Sequence, residues 1–421
     1  MSSKTPRIAI IGAGPAGLTL TSLLAHNSIP CTLFDLRPPP TNTSPTSPLV
    51  PSGSLDLHAE SGLLALEKCG LLDKFQALNR AGSEECIITD KSGEVKYSDD
   101  GQGGQRPEIA RNDLTHLLLS SIPEQDVKWN HKLLLYNRSE GNGGRFRLLF
   151  SLLPDSENGE AIEKEEDFDV VIGSDGAWSR TRLLLTNEKP HFSTVSCITL
   201  TIPSISTTYP QLAAMIGSGS FYAPSDRKAV IAQRGSLDSA RIYVMLSAPS
   251  ESYLVTSSLS SATTLPSRLK KMLLENEGLF AHWGEGIKSL LAAGCDSGVE
   301  ISANPLFMFP IDFSWQHVPG ATVIGDAAHL MTPFAGEGVN CAMLDAFELS
   351  RGLVSAVRSG GAVRDVDEQL EMFENAMWKR MKPVSQETWN NLQVIFAEDA
   401  PGGFVRVMES HGPPPEEEEE A

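Results

Sequence analysis

Val323-Ile324-Gly325-Asp326-Ala327-Ala328-His329-Leu330 runs on through Pro333-Phe334-Ala335-Gly336-Glu337-Gly338-Val339-Asn340. An apolar strand here delivers an acid at its end, and a Pro/Gly turn then opens a helix near Gly338. That helix carries Val339, Ala342, Met343, Ala346, Leu349 and Leu353 on roughly one face, at the 3.6-residue spacing of an amphipathic helix. A carboxylate beside a tight turn can hold a polyol hydroxyl. The free amides of the following helix N-terminus can hold an anion, or a carbonyl that acquires negative charge.

The partner motif lies near the other end of the chain. Arg7-Ile8-Ala9-Ile10-Ile11 is almost wholly apolar, as expected of a parallel strand covered on both faces. Gly12-Ala13-Gly14-Pro15-Ala16-Gly17 follows, then a helix over about residues 16–27, then a second strand, Cys31-Thr32-Leu33-Phe34, ending at Asp35. Strand, G-x-G-x-x-G, helix, strand and acid form the Rossmann fingerprint in its required setting. The glycines Gly12, Gly14 and Gly17, with small Ala16, permit a tight turn and close approach of a pyrophosphate to the helix N-terminus. Asp35 stands 23 residues after Gly12, near the ~20 expected of an acid that binds a ribose diol. The plain alternative is a glycine-rich turn without ligand.

With these blocks stand Gly53-Ser54-Leu55-Asp56-Leu57-His58, Pro107-Glu108-Ile109-Ala110-Arg111-Asn112-Asp113-Leu114, and Gly173-Ser174-Asp175-Gly176-Ala177-Trp178-Ser179-Arg180. In this order the chain resembles the class A FAD-dependent monooxygenases, the para-hydroxybenzoate hydroxylase superfamily. The nearest likeness is to the tetracycline-inactivating flavin monooxygenases, over most of the length. The resemblance implies an α/β chain with a Rossmann-like FAD-binding domain, an inserted β-rich substrate domain and a C-terminal helix. It implies FAD as cofactor, NADPH or NADH as reductant, and oxygen transfer from O2 through a flavin C4a-hydroperoxide. On that basis Asp35 and Arg37 would hold the adenosine side, and Arg111 and Asp56 the flavin or ribityl region. Asp326 would hold the ribityl and pyrophosphate, with Gly336, Gly338 and Val339 along the isoalloxazine edge. Pro333 and Phe334 would shape the reaction pocket, and no acid–base residue is assigned. Simpler roles stand beside these: an Arg111–Asp113 ion pair, Asp56 as a helix cap, Asp175 closing a turn with Gly176, and His58 and His329 as structural histidines.

By gapless comparison, positions where the tetracycline-inactivating enzymes place polar drug-binding side chains fall on Thr199, Ser220 and Arg241, which are different groups here. Tyr222 and Phe221 suggest a more aromatic wall, and the family's basic residue ahead of the GSLDLH segment falls near Leu49. A phenolic, polyketide or indole-type metabolite is therefore expected rather than tetracycline, with hydroxylation or epoxidation as the reaction. A halogenase is disfavoured, because only Phe313-Ser314-Trp315-Gln316 stands where a W-x-W-x-I-P segment is needed. An FAD-dependent oxidase or reductase, or a non-catalytic binding protein on the same fold, remains as alternative.

Composition sets limits. The chain has 421 residues, 41% of them hydrophobic, enough for two domains. The expected division is an FAD-binding domain over residues 1–80, 108–186 and 306–360, and a substrate domain over 187–305 with 81–107. A C-terminal helical segment at 361–408 and a disordered acidic tail at 409–421 complete it. The net charge of −19 argues against nucleic-acid partners. No apolar run reaches the ~18 residues of a membrane span, and residues 1–6 lead straight into a strand, so a cytoplasmic protein is expected. Six cysteines form no CxxC pair and no Cys/His cluster, giving no metal site and the expectation of reduced thiols. The expected partners are a small-molecule substrate and O2; the oligomeric state is left open, with a monomer expected.

Between the motifs, residues 37–54 hold six prolines and read as a loop. Residues 63–78 and 111–121 read as helices, 128–150 and 167–172 as strands, and 154–166 as an exposed hairpin or loop. Strands at 229–233 and 241–246, a helix at 265–275, and one or two helices over 366–398 with Trp378 and Trp389 as packing residues complete the reading.

Overall fold

The computed structural model describes residues 5–40, 52–79, 84–101, 106–138, 145–152 and 162–411. The chain divides into two compact units. The first comprises Met1–Ala81, Gln105–His191 and Phe307–Thr388; the second comprises Gly82–Gly104, Phe192–Leu306 and Trp389–Ala421.

The first unit is built on a five-stranded parallel sheet. Its strands stand in the order Ala321–Val323, Val170–Gly173, Ile8–Ile11, Cys31–Phe34, Val127–Lys128. Side chains alternate across a strand, so Ile8 and Ile10 enter one core and Ala9 and Ile11 another. Both faces are covered, which is why the strand shows no polar alternation. The first core is closed by the helices Pro15–His26, Gly62–Lys68, Arg111–Leu119 and Gly338–Arg358. The second is closed by an antiparallel sheet of Ile162–Phe168, Phe146–Leu152 and His131–Arg138. There Phe34 stacks on Phe150 with ring centroids 4.3 Å apart and meets Phe168 edge-on.

The second unit carries a seven-stranded mixed sheet in the order Ser302–Met308, His191–Ile202, Ala240–Ser247, Lys228–Arg234, Ser220–Ser225, Cys86–Thr89, Val95–Asp99. One face is wholly apolar: Ile198, Leu200 and Ile202, then Ile242, Val244 and Leu246, then Val230 and Ala232, then Phe221 and Ala223. It packs on helices that include Pro266–Glu275 and Glu285–Asp296.

Some local expectations hold and others need correction. Residues 63–78 form two helices, Gly62–Lys68 and Leu72–Gln76, because the chain turns at Gly70 with φ of +70°. Ser54 starts a short strand, Ser54–Asp56, paired with Glu108–Ala110, rather than ending a loop. Of the two expectations for 154–166, hairpin or loop, the hairpin holds: Ile162–Phe168 pairs antiparallel with Phe146–Leu152, and the acidic run 163–166 is tolerated because only one face of the sheet is buried. The C-terminal region forms one helix, Val363–Ile395, with Pro383 inside it. A further helix, Gly402–His411, extends into the segment expected to be disordered, because Phe404 is buried and packs edge-on against Tyr222 at 5.3 Å. Residues 412–421 and Leu49 lie outside the described residues. Trp378 packs edge-on against Trp315 at 5.2 Å, and Trp389 is half-buried. All six cysteines are free. Among the described residues no helix is long and apolar enough to cross a membrane, and no His/Cys/Asp/Glu group could hold a metal.

Candidate cofactor site

The strands of the first sheet run parallel, so their C-terminal ends share one edge, where such sheets bind ligands. Four of those ends deliver Gly12, Asp35, Ser174 and the Ile324-Gly325-Asp326 run. Gly12 has φ of +108°, and a Cβ there would collide with the backbone of Ser174 and Asp175; one on Gly17 would collide with the Gly12 carbonyl. Those two glycines let the loop cross the strand end and seat the helix against it. Gly14 differs, since a Cβ there would meet only the Ser174 carbonyl, at 4.0 Å. The helix Pro15–His26 has Pro15 at its start, no side-chain cap and no acid in its first turn. Its leading amides are thus available to an anion.

Asp35 is engaged within the protein. Its Oδ2 accepts from the Ala13 amide (2.6 Å) and Arg37 Nη2 (2.9 Å), while Oδ1 accepts from the Arg37 amide (2.7 Å) and Nε (2.9 Å). A carboxylate has about four lone-pair sites, and all are engaged. Asp35 therefore shapes the glycine loop and presents Arg37, whose Nη2 also donates to the Ala13 carbonyl. A ribose diol would have to displace these bonds. Burial works against the charged form of Asp35, but Arg37 and the backbone amides hold its pKa below the usual carboxylate value.

A second helix N-terminus faces the same edge. Pro333–Ala335 makes a 3-10 turn, Gly336 turns left-handed with φ of +73°, and Gly338–Arg358 starts without a side-chain cap. A Cβ on Gly338 would meet nothing within 4 Å, so a flat ligand edge can approach its backbone. Gly325, φ +61°, brings the two helix starts together: a Cβ there would lie 3.2 Å from the Cβ atoms of both Ala16 and Ala342. Both uncapped helix ends and Asp326 thus converge on one small region. Asp326 is accessible to solvent yet closely surrounded by protein, as in a cleft. That surrounding raises its pKa, against the pull of His329 and Arg111. Arg111 opens its helix with its amide donated to the Gly53 carbonyl (2.9 Å). It makes no ion pair with Asp113 among the described residues. Asp56 sits on the paired strand, with its main-chain carbonyl held by Asn340 Nδ2 at 3.0 Å.

Sequence reading missed the residues that hold these groups in place. Asp345, fully buried on the long helix, accepts from the Gly325 amide (2.8 Å), His329 Nε2 (2.6 Å) and Arg380 (2.9 Å). Burial opposes its charge, but His329, Arg380 and the Gly325 amide hold its pKa below the usual range. Its sequence signal was a lone acid beside the apolar stripe of Met343, Ala346 and Leu349. Asp175 caps the turn Thr181–Leu184 by accepting from Ser179 Oγ and from the Arg180 and Thr181 amides. Arg182, only 3% exposed, donates to the Ala327 carbonyl (3.0 Å) and the Ala177 carbonyl (2.9 Å) and lies over Phe309 at 4.7 Å. It ties the short helix Asp326–His329 to the segment 173–180. Arg182→Met should cost about 2–4 kcal/mol in thermal or denaturant unfolding, because a buried and a half-buried carbonyl lose their donor; a change under about 0.5 kcal/mol would remove it from this role.

Thr199, Ser220, Tyr222 and Arg241 lie in the second unit, on one face of the seven-stranded sheet. Register pairs Thr199 with Tyr243, Arg241 with Thr201 and Gln233, Tyr222 with Ile231, and Ser220 with Gln233. This is the face opposite the wholly apolar one, and it sets these polar and aromatic residues beside Ile231 and Met245. Arg241 Nη1 donates to Thr201 Oγ1 at 3.0 Å, and its buried Nε has no partner among the described residues.

Known proteins resemble the chain over most of its length. The family model described as "FAD binding domain" matches residues 5–252 and 320–371. The chain belongs to the class A flavin monooxygenase family. It is an FAD-dependent monooxygenase. Monooxygenase penA of Penicillium thymicola is 35% identical, over 96% of this chain and 98% of its own. Monooxygenase asqM of Emericella nidulans is 36% identical, over 96% and 98%. Tetracycline destructase Tet(55) shares the fold at a TM-score of 0.65 and 19% identity, covering 95% of this chain and 91% of its own. The residues present fit FAD: glycine surfaces and two uncapped helix starts for its anionic parts, and one carboxylate for its polyol.

Proposed function

We propose that this monooxygenase hydroxylates or epoxidises an electron-rich aromatic or polyketide-type small molecule, with NAD(P)H as reductant and O2 as co-substrate. The observation that carries the cofactor half is the meeting of Ala16, Ala342 and Asp326 around Gly325. FAD, once reduced and exposed to O2, supplies the electrophilic oxygen. The protein binds, orients and keeps water away. The amides after Gly12, Gly14 and Gly17 hold the pyrophosphate, aided by Arg37 at the adenosine side. Asp326 accepts from ribityl hydroxyls, and Arg111 and Asp56 flank the flavin. The amides of Gly336, Gly338 and Val339 meet the pyrimidine edge, where negative charge develops on reduction and a helix N-terminus stabilises it. Pro333 and Phe334 form a stiff apolar wall.

Substrate selection falls to the polar face of the second unit's sheet. Tyr222 offers ring surface, Thr199 and Ser220 offer short hydroxyls, and Arg241 offers a guanidinium with a spare donor. Such a set suits a planar substrate carrying a carbonyl or phenolic oxygen. The chemistry needs no protein nucleophile, so no acid–base residue is assigned.

The test follows NADPH and NADH oxidation across a panel of phenols, indoles and aromatic amides under labelled O2, with product mass. Substrate-stimulated oxidation with one labelled oxygen atom in the product is expected. Stimulated oxidation that yields only dehydrogenated product, with the label in peroxide or water, would refute oxygen transfer.

A further inference from the structure

His58 follows the strand Ser54–Asp56 and is 3% exposed. Its Nε2 lies 3.0 Å from Asp56 Oδ2, and its Nδ1 lies 3.3 Å from Glu337 Oε1. Glu60, in the next turn, stands 4.0 Å away, and Glu108 is paired opposite Asp56 on the neighbouring strand. One imidazole therefore sits among carboxylates from two segments, 56–60 and the turn at Glu337, with no Lys or Arg paired to it among the described residues. Two ring nitrogens facing two carboxylates can both donate only in the imidazolium form. Backbone geometry fixes the ring's place: the His58 amide donates to Asn340 Oδ1 at 2.9 Å, and Ser61 Oγ donates to the same oxygen at 3.2 Å.

Glu337 stands between Gly336 and Gly338, the turn that opens the long helix. On the far side of the ring, Asp56 approaches the same turn, since a Cβ on Gly336 would lie 3.8 Å from its carboxylate. We infer that His58 is a positioning residue, a cationic bridge between Asp56 and Glu337 that fixes the Gly336–Gly338 turn and so sets how tightly FAD is held there. This rests on the reading that the turn meets the flavin. Removing the positive charge leaves two carboxylates facing one neutral ring, and their repulsion drives Glu337 and its turn outward.

Burial opposes the charged ring, but hydrogen bonds and charge from Asp56 and Glu337 outweigh it and push its pKa up to about 9. The folded value exceeds the unfolded one, so the bridge's contribution is complete below about pH 6.5 and is lost as pH rises through about 9. FAD affinity should follow the same course.

The experiment measures the FAD dissociation constant of apoprotein from pH 7 to 10 by flavin fluorescence, with apoprotein melting followed in parallel. Wild-type affinity should fall about tenfold between pH 8 and 10. His58→Gln, which keeps a hydrogen-bonding shape without charge, should bind about tenfold more weakly at pH 7 and show a flat profile. Glu337→Gln should move the fall to lower pH. A flat wild-type profile overturns the inference. So does a His58→Gln protein that melts lower yet binds FAD within twofold of wild type, since that role is structural only. Gly338→Leu separates the two readings. If it leaves FAD affinity unchanged, the turn does not meet flavin and the cofactor reading fails; if it weakens FAD while His58→Gln does not, only the inference about His58 fails.

Discussion

Asp326→Ala protein should purify folded but with little or no yellow colour. The carboxylate stands where the two uncapped helix starts meet, and it is the only carboxylate in the 323–328 run that ends that strand. Hydrogen bonds to a charged acceptor are worth about 1.5–3 kcal/mol, so FAD binding should weaken about 10–100-fold. Flavin absorbance per chain after gel filtration measures this directly. The apoprotein should move the other way. The surrounding protein raises the Asp326 pKa, opposed by His329 and Arg111, so its charged form is disfavoured in the fold. A raised carboxylate pKa stabilises only at low pH and destabilises once pH passes the folded value. At neutral pH the Ala variant's apoprotein should therefore melt slightly higher than wild type, a trade of stability for binding. Stoichiometric flavin in Asp326→Ala would refute the assignment.

Gly17→Ala and Gly14→Ala should fail in different ways. The Cβ at position 17 strikes the Gly12 carbonyl and the Ser174 hydroxyl, and backbone at the end of a buried strand cannot yield cheaply. Overpacking of this kind costs about 1–3 kcal/mol or more, which lowers the melting temperature by roughly 2–12 °C at 2–4 °C per kcal/mol. Apoprotein calorimetry reads the loss, and FAD affinity should collapse with it. At position 14 the Cβ has room within the protein, so the apoprotein should melt within about 2 °C of wild type while FAD binds far more weakly, because close backbone approach to the pyrophosphate is blocked. Equal behaviour of the two variants would show that the loop is structural and not a phosphate seat.

The parts legible in the sequence were those set by local constraints. Ile8 to Ile11 is apolar throughout because two cores claim its two faces. Gly12 and Gly17 announce a turn because no side chain fits there. Asp326 was found because a strand, an acid and a helix start fall in consecutive order. For Asp35, spacing reported that an acid ends the second strand, while only the fold shows Arg37 and the Ala13 amide engaging its lone pairs. Arg182 and Asp345 were missed because each acts on backbone far along the chain, on Ala327 and Gly325, and nothing nearby in sequence marks such a bond. Of the loop expected at residues 37–54, residues 41–51 lie outside the described residues, and Ser54 joins a strand because Ser54 to Asp56 finds a partner more than fifty residues away.

By itself, then, the chain's order of residues settled the parallel strands, the glycine turn, the acid and the helix that follows it, since each depends on φ, side-chain volume and periodicity within a dozen residues. Tertiary packing alone decided that two helix starts meet at Gly325, that Asp345 and Arg182 pin that meeting, and that His58 lies between the carboxylates of Asp56 and Glu337. Those arrangements depend on distances across the fold, and a charge or hydrogen bond acts through space without regard to position along the chain.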